Sequence, residues 1–341
     1  MNTSLRPVCS VCIANYNGID LIGACIDSVL AQDCGFDIQI VVHDDASTDG
    51  SVGYIKTHYP QAILLDSQEN VGFCIANNRM AAAAQGEYLL LLNNDAVLFP
   101  DALRVLHEAA HASAGPAILG LPQYDAATGR LIDVGSTFDL FLNPIPRLAI
   151  EPSEVGMVIG ACLWIPRHLW IELGGFPDWF GSIAEDSYLC CLARLRGYDV
   201  RILATSGFRH WVGASLGGGK LTTDARLATS FARRARSERN KSFVIALVYP
   251  TLGLLLVFPL HLLLLLTEGI LLSVIKRDMR FLKVIYLPCF VALWKERRRL
   301  RGLRKQVQAS RRISPPRFFR TFALFPHKLR MLFRHGLPEV R

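Results

Sequence analysis

The sequence lacks the two glycine signatures that most directly mark a nucleotide site in an α/β protein. No G-x-G-x-x-G follows its first apolar run, and no G-x-x-x-x-G-K-[ST] occurs in it. A dinucleotide-binding Rossmann turn and a P-loop are therefore excluded. Fixed-period repeats and low-complexity tracts are missing too, which excludes solenoids and long linkers. Paired cysteines are scarce. Of nine cysteines, Cys9 and Cys12 stand at C-x-x-C spacing, inside an apolar run and with no second pair to follow. Buried reduced thiols are expected rather than zinc or a redox couple. Met1 to Pro7 is polar and carries no leader pattern, so the first domain is expected in the cytoplasm.

Acidic residues nearly vanish from the last third. Residues 233–341 hold 24 Lys/Arg against 5 Asp/Glu, whereas residues 1–232 hold 13 against 24. An acidic body with a basic tail suggests a soluble domain and a segment for an anionic surface. The tail also contains Phe243 to Ile275, nearly unbroken apolar sequence with His261 and Glu268 as its clear polar interruptions. No nucleic-acid arm needs such a run, so nucleic acid is not expected as a partner and anionic membrane lipids are. Pro250 and Pro259 interrupt the run, and Arg233, Arg234, Arg236, Arg239 and Lys241 precede it. Lys276, Arg277, Arg280 and Lys283 follow it. Positive charge marks the cytoplasmic side of a membrane. Both flanks carry it, so monotopic or re-entrant helices at the cytoplasmic face of the inner membrane are expected rather than one crossing. Lys295 to Lys305, with Arg297, Arg298, Arg299, Arg301 and Arg304, suits anionic headgroups.

The body reads as alternating strands and helices. Val8 to Ala14, Ile38 to Val42, Ala62 to Leu65 and Tyr88 to Leu92 are apolar strand runs. Helical spacing separates them at Ile19 to Ala31, Ser51 to Thr57 and Phe73 to Ala84. That order predicts βαβ units and a mostly parallel sheet flanked by helices. Each strand ends in small polar residues. The fourth ends in Asn93-Asn94-Asp95, a carboxylate at a strand tip where α/β proteins hold ligands and where a divalent metal could meet a phosphate. Capping and turn formation alone would account for the same residues. Expected domains are 1–232, with halves at about 1–115 and 116–232, and a helical tail over 233–341.

The polar turns and later motifs form an ordered set. It runs Ala14-Asn15-Tyr16-Asn17-Gly18, Asp44-Asp45-Ala46-Ser47-Thr48-Asp49-Gly50-Ser51, and Asn70-Val71-Gly72-Phe73 with Asn77-Asn78. Leu92-Asn93-Asn94-Asp95, Gly174-Gly175-Phe176, Glu185-Asp186, Arg194 with Gly197-Tyr198, and His210 complete it. This set resembles glycosyltransferase family 2, inverting enzymes of the GT-A fold, and within it bacterial rhamnosyltransferase-like members that build surface polysaccharides. The resemblance implies a nucleotide diphosphate sugar donor at Asn15, Asn17, Asp44, Gly72, Asn77 and Asn94. It implies Mg²⁺ or Mn²⁺ at Asp95, with His210 as a further ligand or phosphate contact. It implies a general base in Asp186, and an acceptor surface at Gly174, Gly175, Trp179 and Glu185. The acceptor would be a lipid-linked saccharide. Three departures stand out: Ala14 where Pro is common, Asn93 in place of the first acid of a D-x-D, and Ser187-Tyr188 after the Glu-Asp pair. They keep open a second reading, a non-catalytic nucleotide-sugar-binding scaffold in an assembly complex.

Overall fold

A computed structural model describes residues 6–151, 153–211, 218–221, 227–337 and 339–340. It divides into two units. The first comprises 1–136, 146–193 and 198–215, and the second 137–145, 194–197 and 216–341. Two short segments from the body of the sequence, 137–145 and 194–197, pack within the second unit.

The first unit is built on β1 (Cys9–Asn15), α1 (Ile19–Leu30), β2 (Ile38–Asp44), α2 (Ser51–His58), β3 (Ile63–Asp66), α3 (Phe73–Ala83) and β4 (Tyr88–Asn93). Then follow β5 (Ala96–Leu98), α4 (Ala102–His111), β6 (Ala117–Gly120), β7 (Gln123–Asp125), β8 (Leu131–Asp133) and β9 (Ser153–Glu154). The unit continues with β10 (Cys162–Pro166), α5 (Arg167–Leu173), α6 (Glu185–Leu195), β11 (Asp199–Ile202) and β12 (Phe208–His210). Eight strands form one sheet in the order β9-β11-β6-β10-β4-β1-β2-β3. β1 runs parallel to both β2 and β4, while β10 lies antiparallel to β4. A second sheet has the order β5-β12-β7-β8.

The apolar run of β4 is buried because both faces of the sheet are covered. Leu89, Leu90 and Leu91 are fully enclosed, as are Val11, Cys12 and Ile13 of β1. Cutting one such leucine to alanine costs about 2–5 kcal/mol. On α1, Ile22, Cys25, Ile26 and Val29 are buried at helical spacing and pack on this core. The chain leaves β1 toward β2 and β3 on one side and returns as β4 on the other. The ends of β1 and β4 thus form the switch point at which open α/β sheets bind ligands. None of the nine cysteines forms a disulfide, and Cys9 and Cys12 are fully buried.

The second unit is mostly helical, with short strands beside its helices: α7 (Phe231–Val248), α8 (Thr251–Ile275), a π-helical turn (Phe281–Tyr286), α9 (Leu287–Lys295), α10 (Arg297–Ala309), α11 (Pro315–Phe319) and α12 (His327–His335). Side-chain and backbone bonds draw in the two short segments. Asp139 is fully buried and accepts from His327 N at 2.6 Å, Lys241 donates to Asn143 at 2.7 Å, and Arg194 donates to the Phe318 carbonyl at 2.9 Å. Ion pairs tie three helices together. Glu238 meets Lys241 and Lys328, and Glu268 meets Arg234 and Lys328. Arg304, expected to face headgroups, instead turns inward. It donates to the carbonyls of Ala246, Leu247 and Tyr249 and so caps the open end of α7. Among the described residues α8 alone is long and apolar enough to cross a membrane, and most of it is exposed. Leu252, Leu255, Leu256, Leu263 and Leu271 are all more than half exposed.

Candidate active site

The tips of β1, β2 and β4 are joined by one chain of hydrogen bonds. Asn94 Nδ2 donates to Asn15 Oδ1 at 2.8 Å, and Asn15 Nδ2 donates to Asp44 Oδ2 at 2.7 Å. Asp44 also accepts from Ser47 N and Ser47 Oγ, each at 2.8 Å. Asp44, Asn15 and Asn94 are buried. Their polar atoms are spent on one another, so in this state they hold the rim together. Asn17 is exposed in the left-handed region at φ 48°, which asparagine tolerates. It links the first two loops through Ser47 Oγ and Thr48 N. Tyr16, 48% exposed, presents its ring beside them.

Asp45 fastens the next loop by accepting from Val71 N at 2.7 Å and Gly72 N at 2.9 Å. Gly72 takes φ 88° and ψ 161°, a conformation essentially confined to glycine. A Cβ there would stand 3.3 Å from the Gly181 carbonyl oxygen, so its close approach is to the 181 loop. That carbonyl accepts from Cys74 N at 3.0 Å. Asn77 is buried and donates to the Phe73 carbonyl within its own helix at 2.9 Å. Its neighbour Asn78 reaches outward. Its Nδ2 donates to the Phe176 carbonyl at 2.8 Å and to Asp178 Oδ1 at 2.6 Å, while its Oδ1 accepts from Phe176 N at 3.0 Å. Gly175 is left-handed at φ 65°, and a Cβ on it would stand 2.6 Å from Asn78 Oδ1. Gly174, at φ 83°, closes α5. Trp179 is half-buried, edge-on to Phe180 with ring centroids 4.7 Å apart.

The loop before α6 is strained. Gly181, Ile183 and Ala184 have φ of 73°, 74° and 68°, and a β-branched residue at positive φ is a genuine outlier. Glu185 and Asp186 follow at the helix start, Glu185 buried. Asp186 Oδ2 accepts from Gly160 N at 3.2 Å, and Oδ1 accepts from Ser187 N at 2.6 Å. Burial raises the pKa of the Asp186 carboxyl, opposed by these amides. Gly160 precedes Ala161, whose carbonyl accepts from Asn93 N at 3.1 Å. Asp186 thus sits one strand away from the tip of β4.

At that tip Asp95 and His210 are both buried, with Asp95 Oδ1 2.9 Å from His210 Nε2. The pairing of β12 with β5 sets His210 opposite Ala96, which brings the two side chains together. Gln123 Nε2 lies 2.7 Å from His210 Nδ1. With that amide donating, Nδ1 accepts and Nε2 carries the proton bonded to Asp95. A half-turn of the Gln123 amide would put the proton on Nδ1 and open the Nε2 lone pair. No group of three or more His, Cys, Asp or Glu that could hold a metal occurs among the described residues. The pair nevertheless fits two neighbouring ligands of one ion, since ligands about 2.1 Å from a metal at right angles stand about 3.0 Å apart. Asn93 Oδ1 is buried with no hydrogen-bond partner, a further oxygen at the same tip.

Residues 10–173 match the family described as glycosyl transferase family 2. These residues belong to that family. The succinoglycan biosynthesis protein ExoO of Rhizobium meliloti is 33% identical over 108 residues, which is 31% of this chain and 31% of that protein. The chain therefore spans about a third of that curated relative. Among solved structures, S. aureus TarS 1-349 superposes with a TM-score of 0.54 at 16% identity, covering 89% of this chain and 90% of that one. The mannosyltransferase PcManGT of Pyrobaculum calidifontis, in complex with GDP-Man and Mn²⁺, superposes with a TM-score of 0.51 at 19% identity. The two cover 90% and 86% of one another's chains. At such identities the likeness speaks for the fold, which is the GT-A fold expected from the motifs. Asp45 and Asn78 stand in the motif set, but no role was expected of them; Gln123 stands in none of the motifs. The partners of all three lie 26 to 100 residues away along the chain.

Proposed function

We propose that the chain moves a sugar from a nucleotide diphosphate sugar to a saccharide acceptor with inversion at the anomeric carbon. The observation that carries this reading is the shared rim. Asp186 rests on Gly160, Ala161 is bonded to Asn93, and Asp95 with His210 comes next. A proton acceptor and a diphosphate-binding end then share one cluster of strand ends. In-line inversion needs a single base. The acceptor hydroxyl attacks the anomeric carbon as its bond to the diphosphate breaks, and Asp186 takes the hydroxyl proton. A carboxyl whose pKa is raised by burial is a better base, provided it ionises at working pH. A divalent ion, Mg²⁺ or Mn²⁺, when bound supplies positive charge for the leaving diphosphate. Asp95 and His210 would hold it. The Asn94–Asn15–Asp44 chain would keep the donor loops in register, and Asn78 with Gly174 and Gly175 would shape the acceptor side beside Trp179 and Glu185.

The acceptor this reading favours is a lipid-linked saccharide at the cytoplasmic face of the inner membrane, and the product a cell-surface polysaccharide. The second unit supports it. α7 packs antiparallel along α8, cross-linked by Ser242–His261 at 2.8 Å and Arg234–Glu268 at 2.6 Å. α7 carries Arg233, Arg234, Arg236, Glu238, Arg239 and Lys241. For α8 to cross a bilayer these charges would have to enter it, at a cost of several kcal/mol. α8 therefore lies along one leaflet with its exposed leucines in lipid. Because the motifs resemble rhamnosyltransferase-like members, dTDP-rhamnose is the first donor to test.

Calorimetric titration of UDP-, GDP- and dTDP-sugars with and without Mn²⁺, then NMR of the product's anomeric configuration, tests the proposal. Metal-assisted binding of one donor and an inverted product are expected. A retained configuration refutes the mechanism, and donor binding with no product from any membrane extract favours the scaffold reading.

A further inference from the structure

The second unit carries a shallow groove of about 420 Å³ on α9, lined by Lys283, Leu287, Pro288, Val291, Ala292 and Lys295. Its floor is apolar and a lysine stands at each end. Leu287 and Val291 are 41% and 51% exposed. Both lysines are exposed, and neither forms an ion pair among the described residues. The nearest acids in sequence are already engaged, Asp278 with Arg280 at 2.8 Å and Glu296 with Arg299 at 3.4 Å. The groove owes its shape to Pro288. Proline has no N–H to give to residue 284, and its ring would crowd that carbonyl. The preceding turn, Phe281–Tyr286, widens into a π-helix, as helices do where the regular ladder is interrupted.

We propose that this groove binds anionic glycerophospholipids presented by a bilayer, one lipid phosphate at each lysine and acyl chain over Leu287 and Val291. The inference rests on the membrane-associated reading above. Lys283, Leu287, Val291 and Lys295 recur every fourth residue along one face, and the two lysines are about 18 Å apart along the axis at 1.5 Å per residue. The hydrocarbon core is about 30 Å thick. The lysines therefore cannot reach opposite surfaces. They reach one surface together only when α9 lies in the plane of the interface, each ammonium extending to a phosphate from an apolar stem. Trp294, 69% exposed, lies beside Lys295 with the Arg297 guanidinium 4.1 Å over its ring, an aromatic–cation pair suited to the headgroup level.

The test is vesicle flotation of the full chain with phosphatidylcholine alone and with one-quarter phosphatidylglycerol, at fixed ionic strength. Wild type is expected to float with both and more tightly with the anionic vesicles. Lys283→Gln/Lys295→Gln should keep the neutral binding and weaken the anionic binding about 25-fold, about fivefold per lysine near a charged surface. Lys283→Arg/Lys295→Arg should restore it. Arg311→Gln/Arg317→Gln makes the same charge change at exposed positions elsewhere and should cost little. An equal loss in that control would make the effect one of diffuse charge and overturn the site. So would an unchanged double glutamine variant, or competition by millimolar inorganic phosphate. If wild type floats with neither vesicle, the membrane reading itself fails, which is a different result from any of these.

Discussion

Asp186→Asn is the substitution that bears most directly on the chemistry. The two side chains are nearly isosteric, so packing is retained. Asp186 accepts from Gly160 N through one oxygen and from Ser187 N through the other. An asparagine can satisfy one of these amides and must turn its NH₂ toward the other. Leaving one N–H without its acceptor costs about 1–3 kcal/mol. Removing a buried charge offsets part of that, and the variant is expected to stay folded. Catalysis should suffer far more, because a positioned base contributes about 10²–10⁴-fold, roughly 3–5 kcal/mol of barrier. The assay is nucleotide diphosphate release with saturating donor and acceptor, beside donor affinity from calorimetry. The expected result is a loss of that size in kcat with donor affinity within about threefold of wild type. In the wild type, kcat/KM should fall on the acid side as pH drops through the Asp186 pKa, and burial sets that limb above the ordinary carboxylate range. Release at the wild-type rate in the asparagine variant would refute the assignment.

Asn78→Ala removes three hydrogen bonds to the Phe176–Asp178 loop. It should lower stability by about 2–3 kcal/mol and raise the KM for acceptor more than that for donor, which paired melting and kinetic measurements can read. Gln123→Glu puts an obligate acceptor against His210 Nδ1, fixing the proton there and freeing Nε2. The metal concentration for half-maximal activity should fall, whereas Gln123→Leu should raise it. Asp133 is buried, and burial lifts its pKa from an ordinary 3.8 to about 6 against the bonds from Arg147 N and Ser136 Oγ. The protonated form is the stable one when folded, so stability is full below about pH 4 and is lost as pH rises through about 6. At about 1.4 kcal/mol per pH unit this slope amounts to about 3 kcal/mol. Asp133→Asn should flatten the slope and raise Tm at pH 8. Leu256→Glu with Leu263→Glu, both on the exposed side of α8, should release the chain from membranes without changing its melting temperature. Persistent attachment would contradict the flat-lying helix.

Much of the first unit was legible because its strands are continuous apolar runs broken by small polar residues. Tyr88 to Leu92 reads as a strand buried on both faces, and it is one. The end of that run also pointed to Asp95. What local sequence could not reveal is which polar residues spend their hydrogen bonds on each other. Asn15, Asp44 and Asn94 look alike as ligand contacts until β1, β2 and β4 set their tips side by side. Their pairings span 29 and 79 residues. Gly72 needs its glycine for an approach to Gly181, a segment more than a hundred positions away. Nor does any propensity foretell Ile183 and Ala184 at positive φ. That strain exists because the surrounding loops fix both ends. In the second unit Lys295 to Lys305 reads as a basic run suited to anionic headgroups, but Arg304 is claimed by the bare carbonyls at the end of α7.

The measurement that tests the central claim most directly is nucleotide diphosphate release from a panel of nucleotide sugars. It would use the membrane-bound protein, Mg²⁺ or Mn²⁺, and lipid extract present or withheld. The account predicts release that needs the metal, one donor and the extract together, and that disappears in Asp95→Asn. Donor binding with no release under any of these conditions would contradict it.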